Sequence, residues 1–434
     1  MQVSCKHNTF AVTNFNRNIM RHMQKRKNYS RNFIGAILSV AVMTTAVRTQ
    51  ADEDGEEVFE YTVGEVSYLT GEGVSVGGFL FPELFVIGTG GVFEPGAEAS
   101  DFANGEHDPA NDVGIQGIEL DVGINIDDII TGAVVGFGHQ GEDEVWEAEL
   151  EEAFLHYHLT ENIAIGGGQF LNRFGFQADQ HQHGWSFVNQ NLNNARALNE
   201  GELITQGFEI IVKTPGNSGE LTIGGGGVRS HAEEEEAGPP PPPTFIEAHE
   251  GEFTNEVYTA DYRFRLPFDD SVTVSTSFGG GENGFGRDTL VYGFGVRKVW
   301  NGHDHGNGGP EFCVGALQAQ TEFLGRNVDG FNDGGAPVDF DDQGVSTSIL
   351  YGLCESATLS LRHDWISAVN NTEFVDSHRI SPALTVAFGK NDRIQTRLQY
   401  DYIQNDEIES EHAVWFQVQI QWGGDGGSHA GHDH

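Results

Sequence analysis

The sequence predicts an all-β protein: a transmembrane antiparallel β-barrel of about 16 strands. Three observations predict it. Apolar and polar residues alternate with a period of two in segment after segment. The connections between segments tend to alternate between short turns and long polar loops. No stretch reaches the roughly 18 consecutive apolar residues of a membrane-spanning helix, so a helical membrane protein is excluded. A hydrocarbon layer offers no partner to a bare strand edge, so a sheet that crosses it must close on itself.

The N-terminus reads as an address. Residues 1–51 contain no acidic residue. Lys25, Arg26, Lys27 and Arg31 precede an apolar run from Phe33 to Val47, and acids begin at Asp52-Glu53-Asp54 after Thr49-Gln50-Ala51. This is the layout of a secretory signal peptide over 1–51, with Met20 or Met23 as alternative starts. Residues 52–82 form a short periplasmic segment ahead of a barrel over 83–422, and 423–434 form a His/Gly-rich periplasmic tail. An exported chain matures in an oxidising compartment.

Composition narrows the function. The 434 residues hold 65 Asp and Glu against 23 Lys and Arg, a net charge of -42. Eight of the 23 basic residues fall in the signal, which leaves the mature chain near -50. That balance repels phosphate backbones and excludes nucleic-acid partners. Apolar residues at 38% and aromatics at 11% are too frequent for intrinsic disorder, and 58 Gly with 30 Phe suit turns and strands.

Sixteen strand segments follow in order: 83–93, 112–124, 128–138, 145–158, 162–171, 203–213, 220–229, 255–266, 271–280, 288–300, 311–324, 344–354, 356–367, 375–389, 393–403 and 411–422. In the eighth, Tyr258, Ala260, Tyr262 and Phe264 alternate with Thr259, Asp261, Arg263 and Arg265. In the thirteenth, Ala357, Leu359 and Leu361 alternate with Thr358, Ser360 and Arg362. In the last, Val414, Phe416, Val418, Ile420 and Trp422 alternate with Trp415, Gln417, Gln419 and Gln421. The fourth changes phase near Glu151, which predicts a bulge. The long connections are 94–111, 172–202, 230–254 and 325–343. Short ones include Ile126-Asp127, Thr160-Glu161, Pro267-Phe268-Asp269-Asp270 and Glu355. One rough end and one smooth end place the loops outside and the turns in the periplasm of a Gram-negative outer membrane. A secreted or surface-attached soluble β-rich binding protein or adhesin is the alternative reading of the same alternation.

The segment from Glu151, Glu152, Ala153 and Phe154 to Gly168, Gln169, Phe170, Phe174 and Gly175 resembles the outer-membrane porins of the phosphate-selective O and P type. Asn172 and Arg173 stand where that family often has Pro, and a tail follows Trp422 where such chains usually stop at an aromatic residue. The resemblance implies a 16-stranded pore, often a homotrimer, that passes small hydrophilic solutes by diffusion through outer-membrane lipid and lipopolysaccharide. It also implies that the loop over 172–202, after the fifth strand, folds into the lumen. Asp179, His181, His183, Trp185 and Arg196 of that loop are the expected constriction, with Asn189, Asn191, Asn193 and Asn194 beside them.

The inferred inward face carries Arg263, Arg265, Arg297, Arg362, Arg379, Arg393 and Arg397, with Glu119 and Asp121 as opposing acids and Glu147 and Glu149 as further candidates. Cations on one wall facing anions on another would set a transverse field across a wet pore. His303, His305, His429, His432 and His434 lie in Gly-rich contexts. Imidazole with carboxylate suits zinc or another divalent cation held by flexible segments, so metal ions are expected among the solutes, with no cofactor required. The run 233–236 is four glutamates and 239–243 is five prolines, a stiff exposed spacer. Cys313 and Cys354 begin and end neighbouring strands and are expected to form a disulfide. A plugged active receptor would need more residues than follow the signal. No Ser-His-acid spacing stands out, so no enzymatic activity is expected.

Overall fold

The computed structural model describes residues 79–94, 105–109, 112–140, 145–214, 218–229, 251–301, 314–331, 337–368, 376–388, 393–405 and 410–423. The expected signal peptide, residues 52–78, the proline run and the tail beyond Gly423 lie outside them.

Among the described residues sixteen strands form. They are β1 (Leu80–Phe93), β2 (Val113–Ile126), β3 (Ile130–Gln140), β4 (Trp146–Thr160), β5 (Ile163–Leu171), β6 (Ile204–Lys213), β7 (Gly219–Val228) and β8 (Phe253–Leu266). The second half is β9 (Asp269–Asn283), β10 (Asp288–Trp300), β11 (Leu317–Phe331), β12 (Pro337–Cys354), β13 (Ala357–Ala368), β14 (Ser377–Phe388), β15 (Ile394–Asn405) and β16 (Glu411–Gly423). Each strand pairs antiparallel with the next, and β1 pairs with β16 from Glu83↔Gly423 to Phe93↔Ala413, so the sheet is a closed barrel. Closure removes both edges, which is the condition for a sheet to stand in hydrocarbon.

The barrel is inside-out relative to a soluble sheet protein. Leu398, Tyr400, Val414, Phe416 and Ile420 are exposed on the outer face, and the register sets Leu398 opposite Phe416 and Ile394 opposite Ile420. Val86 meets Ile420 across the closing seam. Leu155, Tyr157, Phe208, Phe278, Phe294 and Leu361 continue this apolar band around the wall. Among the largest side chains withdrawn from solvent are Arg326, Arg362 and Arg379. A soluble binding protein would bury the first group and expose the second, so the soluble alternative is set aside.

Two of the expected boundaries are corrected. The connection expected at 325–343 is mostly strand: β11 runs to Phe331 and β12 begins at Pro337, with Asp329 opposite Asp339. Beyond the apolar band both faces of a hairpin meet water, so the apolar side of the alternation fades while the ladder continues. At the other end β11 starts at Leu317 rather than 311, after a turn at Val314–Gly315.

The short turns are tight. Asp127 and Asp128 both adopt the left-handed region (φ 53° and 55°), and Asp128 N–H donates to Asn125 Oδ1 at 3.0 Å. Asp tolerates that region better than most residues because its short side chain bonds locally. On β4 the ladder slips between Val135 and Gly136: Val135 faces Glu152 and Gly136 faces Leu150. Glu151 is the extra residue of this bulge, as its phase change predicts. The slip leaves Glu151 and Glu152 both buried while Leu150 stays outside.

Candidate pore constriction

β5 spans nine residues where its neighbour β4 spans fifteen. The β4–β5 ladder stops at Ala153↔Gln169, so the chain leaves the wall at mid-height and enters the lumen. The upper part of β4 then finds partners in the departing segment. Gln169 Nε2 donates to the carbonyls of Leu150 and Glu151, and Leu171 N–H donates to Glu152 Oε1 at 2.9 Å. Asn172 ties the start of the loop to its end, donating to Leu203 O at 2.8 Å and to Thr205 Oγ1 at 2.9 Å. Gly175 (φ 73°) turns the chain inward and donates its N–H to Ser277 Oγ at 2.9 Å.

Inside the lumen the loop forms a 3-10 turn at Gln182–Gly184 and a short helix, α1 (Leu192–Ala197). Asn191 caps α1, accepting from Asn194 N–H at 2.8 Å. Phe174, Ala178, Ala197, Leu198 and Leu203 pack against Phe253, Val257, Val291 and Leu324 of the facing strands. This apolar contact fixes the loop across the barrel.

The two edges of the loop are held by opposite chemistry. Toward the arginine wall it offers backbone carbonyls. Arg362 donates to Asn189 O at 2.8 Å and Asn189 Oδ1 at 2.6 Å, and lies over Phe187. Arg379 donates to Gln190 O and pairs with Asp364 at 3.0 Å. Arg397 donates to Trp185 O at 2.6 Å and Phe187 O at 3.0 Å. Arg297 stacks over Phe176 at 4.4 Å. Arg196 on α1 pairs with Asp342 at 3.2 Å. Asp179 pairs with Arg263 at 2.8 Å.

Toward the acidic wall the loop offers imidazoles. His181 lies 3.0 Å from Glu151 Oε2 and 3.1 Å from Glu152 Oε2. His183 sits 2.7 Å from Glu119 and stacks on Phe85. Burial alone would lower the pKa of His181, but Glu151 and Glu152, with Glu119 behind them, hold it well above the ordinary imidazole value.

The inward arginines lie on β8–β15 opposite the acids of β1–β6, but the arginine wall also buries Asp261, Glu322, Asp342, Asp364 and Asp401, and Arg362 and Arg379 both pair with Asp364 at 3.0 Å. The loop lies between the two walls and is bound to both. Trp185 is buried and donates its indole N–H to Gln180 O at 2.9 Å. Asp121 is buried beside Glu119 on β2. Arg265 is exposed near the turn that ends β8, and Arg393 donates to Gly423 O at 2.6 Å. Glu147 is exposed and 3.7 Å from His139. His303, His305, His429, His432, His434 and Cys313 lie outside the described residues. Cys354 is exposed at the end of β12, its Sγ 3.7 Å from Ser356 Oγ.

One element escapes the sequence reading. A short piece of the β1–β2 connection, Gly105–Pro109, also folds inward and buries His107. His107 Nε2 lies 2.9 Å from Glu149, and Nδ1 lies 3.0 Å from Glu202 and 3.3 Å from Glu151. Asp108 accepts from Gln190 N–H at 2.7 Å, and Gln182 donates to His107 O at 2.7 Å, so the two inward loops hold each other. At His107 burial opposes the charged ring, but Glu202, Glu149 and Glu151 outweigh it and raise the pKa well above its usual value. The sequence signal is a lone His107-Asp108 in a polar connection, which spacing alone does not distinguish from a solvated loop.

No family model and no curated protein matches the chain. Solved structures do match. The outer membrane channel DcaP of Acinetobacter baumannii is 12% identical over 81% of this chain and 100% of its own, with a TM-score of 0.53. OmpT of Vibrio cholerae, expressed in the outer membrane, is 10% identical over 79% of this chain and 97% of its own, with a TM-score of 0.51. Its loop L8 deletion mutant is 10% identical over 79% and 99%, with a TM-score of 0.50. At these identities the likeness is one of fold.

Proposed function

We propose that the chain is a diffusion porin in the outer membrane of a Gram-negative bacterium, passing small hydrophilic solutes. One observation carries this reading: a closed, apolar-belted barrel whose lumen is narrowed at mid-height by a loop strung between an acidic and a basic wall. An apolar belt stands the barrel in lipid. Charges of both signs around a narrowed lumen sort solutes by charge as they pass.

Cations are the favoured class, and divalent metal ions such as zinc are among them. The net charge of -42 and the acidic wall of Glu119, Asp121, Glu149, Glu151 and Glu152 support this. We also propose a homotrimer, in which neighbouring barrels cover part of the exposed belt, set among lipid and lipopolysaccharide.

Planar bilayers test the reading. Single-channel steps are expected in KCl, with a reversal potential under a salt gradient that reports cation preference, and with current carried by zinc salts. The absence of conductance steps from protein that folds and inserts would reject a porin. Anion preference, or a block by phosphate without any effect of zinc, would reject the cation reading alone.

A further inference from the structure

Where the two inward loops meet the bulge of β4, three polar atoms converge: His107 Nδ1, Glu151 Oε1 and Glu202 Oε1. They come from three separate parts of the chain, the first inward loop, the wall and the end of the second loop. All three lie within 4.8 Å of one another, with Nδ1 at 3.0 Å from Glu202 and 3.3 Å from Glu151. None of the three is aligned for a hydrogen bond, and Glu202 Oε2 likewise has no hydrogen-bond partner although Glu202 is only 3% exposed. A buried carboxylate without donors is costly unless a cation answers it.

The separations discriminate between occupants. Ligands about 2.0–2.2 Å from a first-row metal stand about 3.0 Å apart at an octahedral angle and about 3.4 Å apart at a tetrahedral one. The two nitrogen–oxygen separations fall within that interval. The surrounding groups also hold the ligand atoms in place. Glu149 lies against His107 Nε2, and a carboxylate only accepts, so Nε2 keeps its proton and Nδ1 is the nitrogen that faces the two glutamates and is offered to an ion. His181 holds the other oxygen of Glu151 at 3.0 Å. Arg229 pairs with Glu106 at 3.0 Å and with Glu149, which leaves Glu151 and Glu202 with imidazoles alone for counter-charge.

We propose that His107, Glu151 and Glu202 bind a divalent first-row transition-metal ion that pins both inward loops to the acidic wall. One imidazole with two carboxylates suits ions of the manganese-to-zinc series rather than a thiolate-seeking ion. The ligand atoms bind an ion in their deprotonated form, so binding is expected to release a proton. The site is distinct from the loop and tail histidines. It needs no conducting pore, so its failure and the failure of the porin reading can be told apart.

The test uses the full chain, folded in detergent and stripped with chelator, carrying H303N, H305N, H429N, H432N and H434N to silence the other His segments. Calorimetric titration with Zn²⁺ is expected to give one equivalent per chain, with an enthalpy that depends on the buffer because a proton leaves. E202Q and H107N, with barrel folding checked by heat-dependent gel mobility, are expected to lose that equivalent. E149Q, which removes the carboxylate that orients His107 and also its ion pair with Arg229, is expected to weaken it about 10–100-fold. X-ray absorption of the one-equivalent Zn²⁺ form is expected to show one imidazole among oxygen ligands. A shell of two or more imidazoles, no zinc equivalent in the His-silenced chain, or unchanged binding in folded E202Q would each overturn the site. Where E202Q fails to fold, the absorption spectrum of the His-silenced parent decides.

Discussion

Arg362 and Arg397 sit deep in the lumen, yet their main partners there are loop carbonyls rather than acids across the pore. A hydrogen bond from a charged donor contributes about 1.5–3 kcal/mol, so R397A is expected to loosen the loop by about that much per lost bond. The measurement is single-channel current, which should become larger and noisier while the heat-dependent gel shift of the barrel persists. An unchanged trace would show that these bonds do not hold the loop. His181 makes a pH-dependent contribution on the other edge. Its pKa is raised above the ordinary 6.5, so its stabilisation is complete below about pH 6.5 and disappears as pH climbs through the raised value. In chelator-treated protein the thermal midpoint should fall on the alkaline side, and H181Q should flatten that limb. A fall on the acid side that depends on His181 would contradict the assignment. At this scale the sequence was readable for residue type and facing, since Arg263, Arg297, Arg362, Arg379 and Arg397 all point inward as their alternation implies. Their partners were not readable. Whether an inward arginine meets water, an acid or a carbonyl depends on a loop that lies 173 residues away in the chain for Arg362 and 212 for Arg397.

Among elements, β5 does the most with the least. Ending at Leu171, it releases the chain at mid-height, and Gly175 then makes the inward turn that a side chain would oppose. G175A places a Cβ against Glu322 as well as forcing alanine to φ 73°. It is expected to destabilise the docked loop by about 1 kcal/mol or more, read as faster proteolysis within 177–199 in otherwise intact barrels. The strand plan itself was largely legible. Ends came out within a few residues for most strands because an apolar outer face leaves a strong period of two. It faded at β11 and β12, where the strands rise past the apolar band and polar residues occupy both faces. The bulge at Glu151 was visible as a phase slip. The burial of His107 was not, because nothing in the β1–β2 connection repeats.

For the whole molecule, stability rests on an apolar exterior that water cannot cover. F416R, on the outer face of β16, is expected to cost about 2–4 kcal/mol near the bilayer midplane. The readout is the urea midpoint of folding into vesicles, and a neutral result would argue that this face is not in lipid. Ion preference belongs to the same scale. Cation selectivity measured by reversal potential should be strong at about 0.01 M salt and fade toward 1 M, as the screening length shrinks from about 30 Å to about 3 Å. Selectivity insensitive to salt would place its source in specific contacts rather than in the summed field.

The early departure of the chain from the wall has a consequence for assembly. The loop is made long before the strands that grip it: Trp185 and Phe187 must wait for Arg397 on β15, and Asn189 for Arg362 on β13. Contacts so distant along a chain form late and slowly. The nascent cylinder therefore wraps around its own filling, and the final zipping of β16 onto β1 seals the loop inside like a cork fitted before the bottle is blown. A chain stalled before β13 should still fold hairpins, but its loop should remain open to protease until the strands from Ala357 onward arrive.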